Sequence, residues 1–205
     1  WSIAFSPDGS ILVSGGEDRS LRLWACPERS RWDVATGECL AEWEAHDGWV
    51  RYVAFSPDGR SIASASYDRS IKIWDVMAAT SPTSLRSRGC VLALTGHQQP
   101  VSAIAFSPDG RQLVSSSFDR TIKLWDTNSG KCLKTLLGHR SRIWTVIFHP
   151  NGQRIASGSD DNNTKIWDLK QSRCIKTIVG HTNAILSLNL SPDGCYLASG
   201  NEDNT

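Results

Sequence analysis

Apolar and polar residues alternate along this chain in short runs, each closed by turn chemistry. Val50–Phe55 leads into Pro57-Asp58-Gly59, then come Ser61–Ala65, a polar turn at Tyr67–Ser70, and Ile71–Trp74. A fourth kind of run, Cys132–Leu137, precedes Gly138-His139. Runs of period two bounded by Pro, Asp, Gly and Ser predict strands joined by tight turns. No segment carries an apolar stripe at helical spacing over three turns, so almost no helix is expected.

The pattern repeats. Ser6-Pro7-Asp8-Gly9 recurs as Ser56-Pro57-Asp58-Gly59, Ser107-Pro108-Asp109-Gly110, His149-Pro150-Asn151-Gly152 and Ser191-Pro192-Asp193-Gly194, at steps of 50, 51, 42 and 42 residues. From Ser6, Ser56 and Ser107 to the next Trp (Trp24, Trp74, Trp125) the distance is always 18. The extra length of the first two steps therefore follows the Trp, in insertions near Ala25 to Trp32 and Thr80 to Gly89. Trp32 restates the Trp position inside the first of them. Four strands per roughly 40 residues predict the blade of an all-β propeller. The expected organisation is one array over 1–205, with blades at about 1–45, 46–96, 97–138 and 139–180 and a partial fifth at 181–205.

Composition removes several function classes. Twenty-two Lys and Arg balance 21 Asp and Glu, a net charge of +1, so no whole-molecule field draws in nucleic acid or an anionic membrane. No apolar run approaches a membrane span, and Trp1-Ser2-Ile3-Ala4-Phe5 lacks a signal peptide's basic start, so a cytoplasmic chain is expected. Of six cysteines, Cys39, Cys90, Cys132 and Cys174 each lie seven residues before a His, in equivalent strands. They are expected to be small buried hydrophobes rather than bridges or metal ligands, and Cys26 and Cys195 lack paired spacing. No metal, cofactor or small-molecule substrate is expected.

The pairs Gly96-His97, Gly138-His139 and Gly180-His181, with Trp74-Asp75, Trp125-Asp126 and Trp167-Asp168, resemble the WD-repeat family along the whole chain. Ala45-His46, Trp24-Ala25 and His149 depart from its pattern. The resemblance implies a Ser, His, Asp and Trp tetrad in each blade. Matching positions are His46, Ser64, Asp68 and Trp74; His97, Ser115, Asp119 and Trp125; and His139, Ser157, Asp161 and Trp167. Ser14, Asp18 and Trp24 lack only the His, and His181, Ser199 and Asp203 lack only the Trp. Buried, these groups would satisfy one another and lock strand order. Ser, His and Asp also make a nucleophilic triad, but a catalytic site is single and open to substrate, whereas this set recurs in every unit. The resemblance further implies a ring of usually seven blades. The chain is accordingly expected to be a fragment of a larger propeller, an open arc prone to self-association.

The family's usual docking rim implies a partner face at Trp1 and Glu17; Trp49, Arg51 and Tyr67; Pro100, Ser102 and Phe118; Arg142, Trp144 and Asp160; and Ala184, Leu186 and Glu202. Trp, Tyr, Phe and Arg dominate binding energy at interfaces. The alternative is that these large side chains only pack on neighbouring blades. The insertions belong to the opposite rim, where Arg29, Arg31, Arg86 and Arg88 offer a second contact or simply sit on solvated loops. The expected function is a non-catalytic scaffold or adaptor for proteins or peptides. The alternatives are a sensor or targeting module of a larger multidomain protein and, third, direct enzymatic activity.

Overall fold

Each alternating run forms a strand, and each Pro-Asp-Gly or Asp-Arg-Ser segment reverses the chain. The computed structural model describes residues 1–26, 39–80 and 89–203, in two compact units, Trp1–Thr95 and Gly96–Thr205. In the first unit β1 (Ser2–Phe5), β2 (Ile11–Gly15), β3 (Ser20–Ala25) and β4 (Cys39–Glu44) form one sheet. Strands β5 (Val50–Phe55), β6 (Ser61–Ser66), β7 (Ile71–Asp75) and β8 (Cys90–Leu94) form another, with the short helix α1 (Val76–Thr80) after β7. In the second unit β9 (Val101–Phe106), β10 (Gln112–Ser117), β11 (Thr121–Asp126) and β12 (Cys132–Leu137) make one sheet. A second joins β13 (Ile143–Phe148), β14 (Arg154–Ser159), β15 (Asn163–Asp168) and β16 (Arg173–Val179), and a third pairs β17 (Ile185–Leu190) with β18 (Leu197–Asn201). Every pairing is antiparallel between strands adjacent in sequence, the all-β architecture of propeller blades.

The turns hold register by side-chain capture. Ser56 Oγ donates to Asp58 at 2.6 Å and accepts the Ser61 N–H at 2.9 Å, while Gly59 takes φ 72° and donates its N–H to Ser56 O. The same bonds recur at Ser6, Ser107 and Ser191. At the other turn Asp68 accepts the Ser70 N–H at 2.8 Å across Arg69, whose φ of 74° is the left-handed conformation the turn requires.

The second strands β6, β10 and β14 are buried on both faces. In the first unit Val13, Leu21, Leu23, Trp43, Val50, Val53, Ile62 and Trp74 form a cluster into which Val76 and Ala79 of α1 also pack. Asp75 caps that helix by accepting the Ala78 N–H at 2.8 Å. One turn of helix thus stands at the start of the second insertion, where the sequence pattern showed none. Trp32, Arg29, Arg31, Arg86 and Arg88 lie outside the described residues.

The cysteine expectation is corrected. All six are unpaired thiols, but Cys39 and Cys132 are exposed, Cys90 and Cys174 only half-buried. Each sits near the start of an outermost strand, beside a bulge where the Trp of the third strand faces it. The inward contact falls instead to the residue four positions later: Trp43, Leu94 and Leu136 are buried.

Where neighbouring sheets approach, side-chain volume is limiting. A Cβ on Gly15 would lie 2.5 Å from Val50 Cγ1, and one on Gly158 2.5 Å from Ile185 Cγ2. Val50 and Ile185 are fully buried and have no room to withdraw. Gly158→Ala should therefore destabilise the chain by about 1–3 kcal/mol, the usual cost of overpacking. A lowered urea midpoint in chemical unfolding is the expected result; an unchanged one would show that Ile185 can yield.

Candidate functional site

A buried indole N–H can only donate, so its position dictates what must stand opposite. Trp74 Nε1, on β7, donates to Ser64 Oγ on β6 at 2.8 Å. Ser64 lies 2.7 Å from His46 Nε2, and His46 Nδ1 lies 2.8 Å from Asp68 Oδ2. The Ser oxygen accepts from the indole and, opposite an imidazole whose single proton sits on Nδ1, gives its own hydrogen to Nε2. Because a carboxylate only accepts, Nδ1 carries the imidazole proton. All bonds then run one way, from Trp to Ser to His to Asp, with a neutral imidazole. Asp68 also accepts the N–H groups of Asp47 and Ser70.

The arrangement repeats in the second unit at His97, Ser115, Asp119 and Trp125 and at His139, Ser157, Asp161 and Trp167, with every link between 2.7 and 2.8 Å. Two sets are partial. Trp24 donates to Ser14 at 2.9 Å, while Asp18 turns to Arg22 at 2.6 Å. His181 binds Ser199 at 2.7 Å and stands 3.4 Å from Asp203. Sequence reasoning missed a further member, the residue two after the Asp. Ser70 and Thr121 donate their hydroxyls to Asp68 and Asp119 at 2.6 and 2.7 Å, and the repeated Asp-Arg-Ser and Asp-Arg-Thr triplets were its signal.

As chemistry the tetrads are closed. Ser64, Ser115 and Ser157 have no access to solvent and are engaged on both sides, so no substrate carbonyl can reach them. Burial pushes the Asp68 and Asp119 carboxyls up, but bonds from His46 and Ser70, and from His97 and Thr121, outweigh it and hold both well below the usual carboxylate range. Burial pushes His139 down despite the opposing pull of Asp161, as a neutral imidazole requires. Among the described residues no His, Cys, Asp and Glu group could hold a metal ion.

The rim residues gather into one patch in each unit. In the first, Trp1 (62% exposed) and Trp49 (42%) stack with centroids 6.3 Å apart, Tyr67 lies 5.3 Å from Trp49, and the Arg51 guanidinium sits 5.6 Å above Trp1. Glu17 is exposed. In the second, Phe118 meets Trp144 edge to face at 4.7 Å, Arg142 lies 5.3 Å above Phe118, and Trp144 Nε1 donates to Asp160. Stacked guanidinium on an aromatic face is a cation–π contact that fixes Arg side chains without removing their charge from the surface. Leu186 and Glu202 are exposed. Ser102 is a correction: it is 1% exposed, and its hydroxyl is 2.9 Å from Ser116 Oγ and donates to Ile143 O at 2.6 Å, tying β9 to β13 instead of facing a partner. Ala184 is likewise buried. The short side chain of Ser102 lets β13 close over it.

Two outcomes test the tetrad. Ser115→Ala leaves the Trp125 indole and His97 Nε2 buried without partners, which should cost about 1–3 kcal/mol while the fold persists; an unchanged melting temperature would refute the network's role. The pH dependence follows from the directions above. A depressed folded pKa gives stability that is present above the unfolded value and lost as pH falls. Thermal stability should begin to fall below about pH 6.5 through His139, and fall more steeply below about pH 4 as the aspartates protonate. Melting curves of Asp119→Asn should show a smaller loss below pH 4 than the parent chain; an equal loss would contradict the assignment.

Comparison with known proteins agrees with this geometry. The WD domain, G-beta repeat family profile matches residues 1–25, 37–75, 88–126, 130–168 and 172–205. The chain is 55% identical over 47 residues to Ribosome assembly protein 4 of Saccharomyces cerevisiae, covering 23% of this chain and 9% of that one. It is 45% identical over 42 residues to Pre-mRNA-processing factor 17 of the same yeast, 20% and 9% of the two chains. Over 173 residues it is 36% identical to Nuclear distribution protein PAC1 of Arthroderma otae, 58% and 36% of the two. The chain thus spans at most 36% of the length of these three relatives. Matched by that profile over most of its length, with its strands paired as propeller blades and the Trp–Ser–His–Asp bonds in place, this chain belongs to the WD-repeat family.

Proposed function

We propose that this chain is a non-catalytic scaffold or adaptor that presents its aromatic and Arg-bearing patches to protein or peptide partners. WD-repeat proteins generally act as protein-interaction scaffolds, which supports the reading at the level of the family. The observation that carries it for this chain is the pair of patches, Trp1–Trp49–Tyr67 with Arg51 and Phe118–Trp144 with Arg142 and Asp160. They leave large rings and charged groups at the surface although the buried positions beside them are satisfied. Exposed Trp, Tyr and Arg are the residue types that anchor interfaces. Mixed charge at Glu17, Arg51, Arg142, Asp160 and Glu202 suits a polar, amphipathic protein surface better than a phosphate backbone.

The relatives named for ribosome assembly, pre-mRNA processing and nuclear distribution support a role in assembling macromolecular complexes. Their greater length supports a second reading, in which the chain is the sensor or targeting module of a larger protein. Six unpaired thiols support a reducing compartment, the cytoplasm. No helix among the described residues is long and apolar enough to cross a membrane.

Alanine at Tyr67 and at Trp144 should each weaken binding of a purified partner by roughly 30-fold, the scale of a hot-spot truncation of about 2 kcal/mol. Titration calorimetry measures the loss, and circular dichroism melts confirm folding. Undiminished affinity in both variants would sink the assignment of the patches.

A further inference from the structure

The turn after the first strand of each sheet is closed by a carboxylate, with one exception. Asp8, Asp58, Asp109 and Asp193 each accept the main-chain N–H two residues on and the hydroxyl of the Ser two residues back. The turn after β13 has Asn151 there, with His149 in place of the Ser. Asn151 Oδ1 keeps the first bond, accepting the Gln153 N–H at 3.0 Å. The second is missing, and His149 Nδ1 instead accepts the Asn151 N–H at 3.2 Å.

Asn151 is exposed, and of the chain's eight asparagines it alone precedes a Gly. That neighbour matters because the carboxamide carbon of an Asn and the next main-chain nitrogen can close a five-membered ring, which a Gly has no side chain to hinder. The Gln153 N–H draws electron density onto Oδ1 and so makes the carbon a better target for attack. One bond opposes the step. The Gly152 N–H donates to His149 O at 2.8 Å, so its nitrogen is released only when the turn opens. Room for that exists, since a Cβ on Gly152 would meet nothing nearer than Pro108 Cδ at 3.7 Å.

We propose that Asn151 is a self-modifying site, at which the chain converts its own Asn to the Asp that the other four turns encode. The Gly152 nitrogen gives its proton to water and attacks Asn151 Cγ, and the carboxamide nitrogen takes up a proton and leaves as ammonia. Water then opens the ring. Breaking the bond from Cγ to the Gly152 nitrogen restores the main chain with Asp at 151. Breaking the other carbonyl bond gives isoaspartate, whose extra main-chain methylene displaces Gly152 from His149 O. The balance is one water in and one ammonia out, with no oxidant or cofactor. The Asp product keeps an acceptor for the Gln153 N–H and sets a carboxylate beside the His149 ring. The chain therefore exists in two forms that differ by one negative charge at the end of β13.

The test incubates the purified 205-residue chain at mildly alkaline pH in water enriched in oxygen-18 and maps its peptides by mass spectrometry. Residue 151 should exchange its NH2 for a heavy OH at least tenfold faster than Asn128 or Asn183 exchanges theirs. The exchange should be slower than in a synthetic peptide copying residues 147–155, which has no folded turn to hold the Gly152 N–H. Asn151→Asp should show no exchange at 151 and melt at the parent temperature, because the turn accepts the product. No heavy oxygen at residue 151, or a rate there no greater than at Asn128 and Asn183, overturns the proposal. Conversion as fast as in the free peptide overturns the control assigned to the Gly152 bond, and a lowered melting temperature of Asn151→Asp overturns the fit of the product.

Discussion

An indole N–H taken out of water has one hydrogen to give and no means of accepting one, and much of this molecule is arranged around that asymmetry. The Ser opposite must accept, so it passes its own hydrogen to an imidazole, which passes one to a carboxylate. The members come from four places: the turn before the first strand, the second strand, the turn after it and the third strand. Fixing the bonds therefore fixes the relative position of two strands and two turns at once. The same direction of donation keeps the imidazole neutral and the Asp ionised, so the local electrostatics are a consequence of the fold.

With the interior settled this way, variety is displaced to the neighbouring positions. The residue immediately before the tetrad Asp is Glu17, Tyr67, Phe118, Asp160 or Glu202, although the Asp itself recurs five times. One step along the backbone separates a position that every repeat keeps from one that takes four residue types in five repeats. That separation suits a binding scaffold, because surface chemistry can differ from sheet to sheet without touching the bonds beneath it.

Much of the fold was legible because turn residues and the interval from Ser-Pro to Trp are local signals, set by backbone geometry within a hairpin. The tetrad partners were legible through recurrence at fixed offsets. What escaped depends on packing between elements. Cys132 recurs at a strand position, but recurrence does not say which side of an outermost, bulged strand faces inward, and the buried residue is Leu136. Ser102 occupies a rim position by alignment, yet its short side chain lets β13 close over it. α1 is held by a cap from Asp75 and by burial of Val76 and Ala79 beside Trp43, contacts too short in sequence to leave a helical period. The stacking of Trp1 on Trp49 depends on two sheets meeting, which no local pattern encodes.

The hydrogen-bonded set from His97 to Trp125 is contiguous: both ends of every bond fall inside one 29-residue stretch, and the same holds from His139 to Trp167. A duplication that copies such a stretch carries a complete internal network with it and needs no compensating change elsewhere. Repeats of this kind can be multiplied, shuffled or lengthened after the third strand as self-contained cassettes, and the two longer steps in this chain place their extra residues there, outside the network.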